Sequence, residues 1–348
     1  MERCSRCGFP NNRPGLIFRD GVCGACINYE KRKDIDWDKR KQDLEAILSA
    51  YRGKHKYDCL IPVSGGKDSH FLVHQMCSFG MNPLLVTVTD SFTHTQAGSY
   101  NLRNLITKYN LNHWQYTISH NLFKRATRAA FEATGEALKF VEYAIYTIPV
   151  RIAQQMGIPL VVFGENSAYE YGTSEDDIFS ANATIRKMIN QCNDERPMWD
   201  RYKVTSKEVD SILPMWMLGE NDPLVMYMSH FFQWSSVTNL ALAKEMGFRD
   251  LTGEWDRKGT IENYEQIDSV AYMVHLWLKY PKFGWQRVTD IATRRVRDGT
   301  LTYAQGQDLI AKNDSVLDPW ALKDFCDTMG YSEKEFFDIV NRHKKEWK

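Results

Sequence analysis

Between residues 57 and 163 the chain alternates short unbroken apolar runs with stretches of helical periodicity. Residues 57–63, 83–89 and 159–163 each read as a strand buried on both faces, because consecutive apolar positions leave no side for solvent. Residues 112–117 read as a shorter strand. Between them, residues 69–78, 102–109, 122–134 and 143–156 carry apolar positions at helical spacing. Strands that alternate with helices predict an α/β fold with a doubly wound parallel sheet. Ligands of such sheets sit beyond the carboxyl ends of the strands. Attention therefore falls on residues 64–69, Asp90 and residues 164–166.

The flanks follow other rhythms. Residues 37–51 place Trp37, Leu44, Ile47, Leu48 and Tyr51 near helical spacing, and the basic positions around them read as a solvated helix face. Residues 181–191 and 237–246 read as helices, and the aromatic segment 225–234 as a strand. Residues 264–280, 287–298, 303–313, 320–329 and 333–345 predict a helical C-terminal region. The expected organisation is a cysteine module (1–30), a linker helix (31–56), an α/β domain (57–255) with an insertion at about 168–224, and a helical region (256–348).

Charge narrows the function classes. Lys plus Arg and Asp plus Glu are both 44, so the formal net charge is zero. Bulk attraction to nucleic acid or an anionic membrane is not implied. No apolar run reaches the ~20 residues that cross a bilayer, and the first residues lack the apolar core of a signal peptide. The expectation is a cytoplasmic protein. Ten tryptophans add stacking surface for a core or pocket.

Four of the eight cysteines fall in the first 26 residues, as Cys4, Cys7, Cys23 and Cys26. The spacing C-x2-C-x15-C-x2-C fits two knuckles that close a tetrahedral zinc site. With no open position, such a site is structural. Cys59, Cys77, Cys192 and Cys326 are scattered and read as small buried hydrophobes.

The segment with most chemistry is Ser64-Gly65-Gly66-Lys67-Asp68-Ser69, between a predicted strand and a predicted helix. Two glycines let backbone N–H groups approach an anion, and the helix start adds its positive end. Ser64, Lys67 and Ser69 offer donors to phosphate. Asp68 would repel phosphate unless a divalent cation lies between them, which points to Mg2+. The pattern is neither G-x-x-x-x-G-K-[ST] nor G-x-G-x-x-G.

This hexapeptide is the signature of the PP-loop ATP pyrophosphatases (HUP type), and the chain resembles that superfamily. Along most of its length it is similar to one branch, the N-acetyl sugar amidotransferases of the surface-polysaccharide and pseudaminic-acid type. The similarity is carried by the Cys-x-x-Cys pairs, the run from Cys59 to Ser69, Phe163-Gly164-Glu165-Asn166, Glu170-Tyr171-Gly172, Gly253-Glu254-Trp255 and Lys282-Phe283-Gly284. The resemblance implies that ATP is cleaved between its α and β phosphates. The oxygen of a sugar acetamido group takes AMP, and ammonia displaces AMP to leave an acetamidino group. No glutaminase nucleophile is recognisable, so separate glutaminase and ammonia-channelling subunits are expected partners, with an N-acetylated, nucleotide-linked sugar as substrate.

The same resemblance assigns roles. Ser64, Gly65, Gly66, Lys67, Asp68 and Ser69 hold the pyrophosphate. Val86 and Val88 offer backbone groups to adenine, and Gly164 lies beside the nucleotide. Lys67, Asp68 and Glu165 are the expected catalytic residues. Asp68 with Glu165 or Glu170 is the expected magnesium site, although the spacing from Gly164 to Glu170 departs from the NAD synthetase layout. Asp90 either touches ribose or caps a turn. Glu175-Asp176-Asp177 reads as a solvated turn that could recruit metal. Asn166, Tyr143, Glu254 and Lys282, with Arg287, are the substrate candidates. The alternative is a PP-loop tRNA-modifying enzyme of the thiolation or lysidine type. Zero net charge and the lack of a second cysteine set weigh against it.

Overall fold

In a computed structural model, residues 1–174, 179–215 and 222–346 are described. Glu175, Asp176 and Asp177 lie outside the described residues. A small hairpin, β1 (Phe18–Arg19) and β2 (Val22–Cys23), leads into α1 (Gly24–Lys31) and then α2 (Trp37–Ser49). The α/β unit holds β3 (Cys59–Pro62), α3 (Lys67–Ser78), β4 (Pro83–Thr89), α4 (Gln96–Tyr109), β5 (His113–Thr117), α5 (His120–Thr134), α6 (Lys139–Met156) and β6 (Leu160–Phe163). After it come α7 (Ser167–Tyr171), α8 (Asn182–Asp194), α9 (Arg196–Asp200), α10 (Ser206–Ile212), β7 (Leu224–Tyr227) and α11 (Ser236–Glu245). The C-terminal region comprises α12 (Tyr272–Trp277), α13 (Lys279–Phe283), α14 (Arg287–Arg297), α15 (Tyr303–Asn313), α16 (Pro319–Met329) and α17 (Glu333–His343).

The five strands pair in the order β5-β4-β3-β6-β7, every pair parallel. Leu60, Leu84 and Val161 face one core, with α5 and α6, while Ile61, Leu85 and Val162 face the other, with α2 and α3. Burial on both faces is why these strands read as unbroken apolar runs. The chain steps outward from β3 to β5 and returns to β6 on the other side of β3. That reversal places the crevice between the ends of β3 and β6, where doubly wound sheets bind ligands. No helix among the described residues is long and apolar enough to cross a membrane.

Several boundaries differ from the expectation. Helix α4 starts at Gln96 rather than 102, capped by Thr95, whose hydroxyl accepts from Gly98 N–H. Gly98 and Ser99 are poor helix formers and hid that turn. Residues 225–234 do not continue as a strand. After Tyr227 the chain turns, and Phe232 and Trp234 pack edge-on against Phe71. Residues 264–271 are not helical. They form a strap hydrogen-bonded to the loop after β4, through Thr95 N–H to Asp268 O (3.2 Å) and Val270 N–H to Thr93 O (2.9 Å).

Candidate active site

The hexapeptide forms the junction of β3 and α3. Gly65 has φ +82°, and a Cβ there would lie 2.7 Å from the Leu102 nitrogen, so only glycine fits. Ser69 Oγ accepts from Ser64 N–H (3.0 Å), and Ser64 Oγ accepts from Gly66 N–H (3.2 Å). Gly66 caps α3 without a side chain, leaving the positive helix end facing the crevice. Lys67 is buried with Nζ 2.6 Å from Asp68 Oδ2 and 3.4 Å from Glu265 Oε1. Burial works against its charge, yet the Asp68 and Glu265 carboxylates hold it above the usual lysine value. Asn239 Nδ2 donates to the other Asp68 oxygen (2.7 Å).

Beside the loop, β6 ends at Phe163 and delivers Gly164, Glu165 and Asn166. Asn166 is buried, its N–H donating to Ser229 Oγ (3.0 Å). Its carbonyl starts α7 by accepting from Glu170 N–H (3.0 Å), which brings Glu170 alongside Glu165. Burial and the neighbouring Glu170 push Glu165 well above the carboxylate range. Burial also opposes the Glu170 charge, but Arg294 and the Glu165 carboxyl outweigh it and hold Glu170 down at about 2. Arg294 reaches Glu170 Oε1 (2.7 Å) and Glu265 Oε1 (2.5 Å). Glu265 also receives Arg287 and the Ser236 hydroxyl (2.9 Å). Arg287 donates to the Tyr171 hydroxyl (2.8 Å).

A cavity of about 190 Å³ opens here, lined by Lys67, Glu165, Asn166, Glu170, Trp234 and Arg294 among others. Two buried oxygens, Glu170 Oε2 and Asn239 Oδ1, meet no hydrogen-bond donor among the described residues. Unsatisfied buried oxygens beside neighbouring carboxylates call for a shared proton or a cation. Asp68, Glu165 and Glu170 supply the hard oxygen donors that suit magnesium.

The remaining expected residues are placed as follows. Val86 is buried, and its carbonyl accepts from Val63 N–H (2.8 Å), tying the strand before the loop to β4. Val88 lies half-buried near the end of β4. Asp90 caps a turn through Phe92 N–H (2.9 Å). Tyr143, Glu254 and Lys282 are not brought to this cavity. The Tyr143 hydroxyl donates to Glu195 (2.9 Å) within the core. Glu254 accepts the first amides of α4, Gln96 N–H (2.6 Å) and Ala97 N–H (2.8 Å). Lys282 pairs with Glu136 (2.6 Å). In exchange the fold brings in Glu265, Arg294 and Asn239, which no local motif marks, and seats Arg287 against Glu265.

Cys4, Cys7, Cys23 and Cys26 are buried with their sulfurs all within 4.8 Å of one another. Cys4 and Cys26 sulfurs are 3.8 Å apart, and those of Cys7 and Cys23 3.6 Å. A tetrahedral ion with ~2.3 Å metal–sulfur bonds sets sulfurs ~3.8 Å apart, so the cluster fits such an ion. Arg297 Nη1 donates to Cys7 Sγ (3.6 Å). The cluster sits against the site, because α1 packs on α7 and Ile17 N–H donates to Gly172 O (2.9 Å).

Residues 258–348 match the family model of the LPS biosynthesis protein WbpG-like, C-terminal domain. That segment includes Glu265, Arg287, Arg294 and Arg297 of the site. No curated protein is significantly similar in sequence. Among solved structures, the NH3-dependent NAD synthetase from Campylobacter jejuni subsp. jejuni NCTC 11168, in complex with the nitrate ion, is 15% identical. The match covers 51% of this chain and 92% of that one, with a TM-score of 0.30. The NMN synthetase from Francisella tularensis is 13% identical over 90% of this chain and 99% of that one, with a TM-score of 0.33. Overlap at these scores is slight. The chain thus joins a Ser-Gly-Gly-Lys-Asp-Ser loop at the strand reversal of a parallel five-stranded sheet, a four-cysteine cluster, and a C-terminal segment similar to the WbpG-like C-terminal domain.

Proposed function

We propose that the protein is an ATP-dependent amidotransferase of lipopolysaccharide biosynthesis that turns a sugar acetamido group into an acetamidino group. The acetamido oxygen attacks the α-phosphorus of ATP, the α–β phosphoanhydride bond breaks, and pyrophosphate leaves. Ammonia then adds to the activated carbon, and AMP departs with the original acetamido oxygen. An amide oxygen is a poor leaving group and AMP a good one, which is why adenylation comes first.

The observation that carries this reading is the Ser64-to-Ser69 loop at the strand reversal, with Lys67, paired to Asp68, lining one cavity with the Glu165–Glu170 pair. The loop amides and Lys67 take the leaving pyrophosphate. Glu165 lines the cavity beside Glu170, where it would contact the acceptor or share the magnesium. Magnesium held by Asp68 with Glu165 or Glu170 would neutralise phosphate charge, and zinc on the four thiols would be structural. Sugar as substrate class is supported by the C-terminal match.

An ammonia supply from separate glutaminase and channelling subunits is favoured by the state of the other thiols. Burial raises Cys59 far above the thiol range and takes Cys77 to about 11, Cys192 to about 12 and Cys326 to about 11. A glutamine-cleaving nucleophile needs the opposite shift. The test is product analysis with an acetamido sugar nucleotide, Mg·ATP and ammonium salt. AMP and pyrophosphate are expected, with glutamine alone inactive. ADP and phosphate as main products would overturn the proposal.

A further inference from the structure

Three contacts tie the cysteine cluster to the substrate cavity. First, Cys23 and Cys26 sit at the start of α1, whose next turns put Ala25, Asn28 and Tyr29 on the cavity wall facing Lys67 and Glu165. Second, Arg297 lines the same cavity while its guanidinium donates to Cys7 Sγ (3.6 Å). Third, Gly24 and Gly172 meet backbone to backbone, each where a Cβ would collide with the other strand of chain. This contact fixes the distance from the cluster to α7, which carries Glu170.

We propose that metal at the cluster holds α1 in place as one wall of the substrate cavity, and that Arg297 is the positioning residue coupling the two. The cavity's role as substrate site rests on the function proposed above, whereas the coupling itself does not. Four thiolates on a divalent ion carry two net negative charges, and Arg297 is a cation in contact with one of them, Cys7. With metal present the guanidinium is held at Cys7 and the α1 wall is fixed. Without metal both are released, and the wall facing Lys67 and Glu165 loses its shape. The Ser64-to-Ser69 loop has its own hydrogen bonds within β3, β4 and α3, so its backbone keeps its shape without the cluster.

The experiment uses the full chain, metal-loaded and chelator-stripped, in hydrogen exchange. Stripping is expected to deprotect residues 24–32, 165–171 and 294–298 together and leave 319–343 unchanged. Deprotection confined to residues 1–31 would overturn the coupling. Loss of protection across the whole chain would also overturn it, since the metal would then be a global folding ligand. A second measurement keeps the metal in place. In cobalt-substituted protein, Arg297→Gln should move the thiolate-to-cobalt charge-transfer band to lower energy, and Arg297→Lys should restore it. An unmoved band would refute the role of Arg297. Because neither readout needs turnover, failure of the amidotransferase reading would leave both results interpretable.

Discussion

Glu265 is where the C-terminal region holds the loop, and replacing it by alanine should be costly. Its side chain is 3% exposed and accepts from Lys67, Arg287, Arg294 and Ser236. Burial opposes its charge, but Arg294, Lys67 and Arg287 hold its carboxyl far below the usual range, so it is ionised throughout the neutral range. Glu265→Ala leaves three cations facing one another, with Arg294 21% and Arg287 12% exposed. Removing one partner of a buried ionic cluster costs about 3–5 kcal/mol. Partial exposure of the arginines places the expected loss at the lower end, ~3 kcal/mol. For a chain of 348 residues that is a fall of roughly 4 °C in Tm. The assay is urea denaturation of wild type, Glu265→Ala and Glu265→Ala/Arg287→Met. The double variant should recover part of the loss, because it removes a stranded cation. A single-variant loss below about 1 kcal/mol would mean that the cluster is solvated, and would refute the reasoning.

Two further outcomes follow from single residues. Gly65→Ala forces a side chain into the left-handed region and against the Leu102 backbone. Mg·ATP affinity should drop at least about tenfold by calorimetry, and unchanged affinity would contradict the placement of the loop. Asp314 is 3% exposed, and burial raises its carboxyl to about 7 against hydrogen bonds from Thr289. The folded state therefore binds the proton more tightly than the unfolded state. The resulting stability is full below the unfolded pKa near 4 and is lost as pH rises toward about 7, by up to roughly 4 kcal/mol. Asp314→Asn should be flatter than wild type in urea midpoint between pH 4.5 and 7, and parallel curves would count against the assignment.

The sheet and the loop were legible because their signals are local. Parallel strands buried on both faces must be continuously apolar, and the hexapeptide carries its chemistry in six adjacent residues. The cysteine cluster was legible for the same reason, since spacing alone brings each pair together. Glu265, Arg294 and Asn239 were not legible. Each meets one partner more than a hundred residues away, Glu265 with Lys67, Arg294 with Glu170 and Asn239 with Asp68, and a polar residue looks solvated until another element covers it. Tyr143 shows the reverse limit. Its periodicity marks α6, but only packing reveals that its hydroxyl is used by Glu195. The strap at 264–271 has helix-like apolar spacing, yet its backbone is spent on the loop after β4.

The central claim is that ATP activates the acetamido oxygen for displacement by ammonia. The most direct measurement follows that oxygen. An acetamido sugar nucleotide labelled with 18O in the acetamido group is turned over with Mg·ATP and 15N-ammonium, and the products are read by mass spectrometry. The account predicts 18O in AMP, none in pyrophosphate, and 15N in the sugar. Unlabelled AMP, or 18O retained in the sugar, would contradict it.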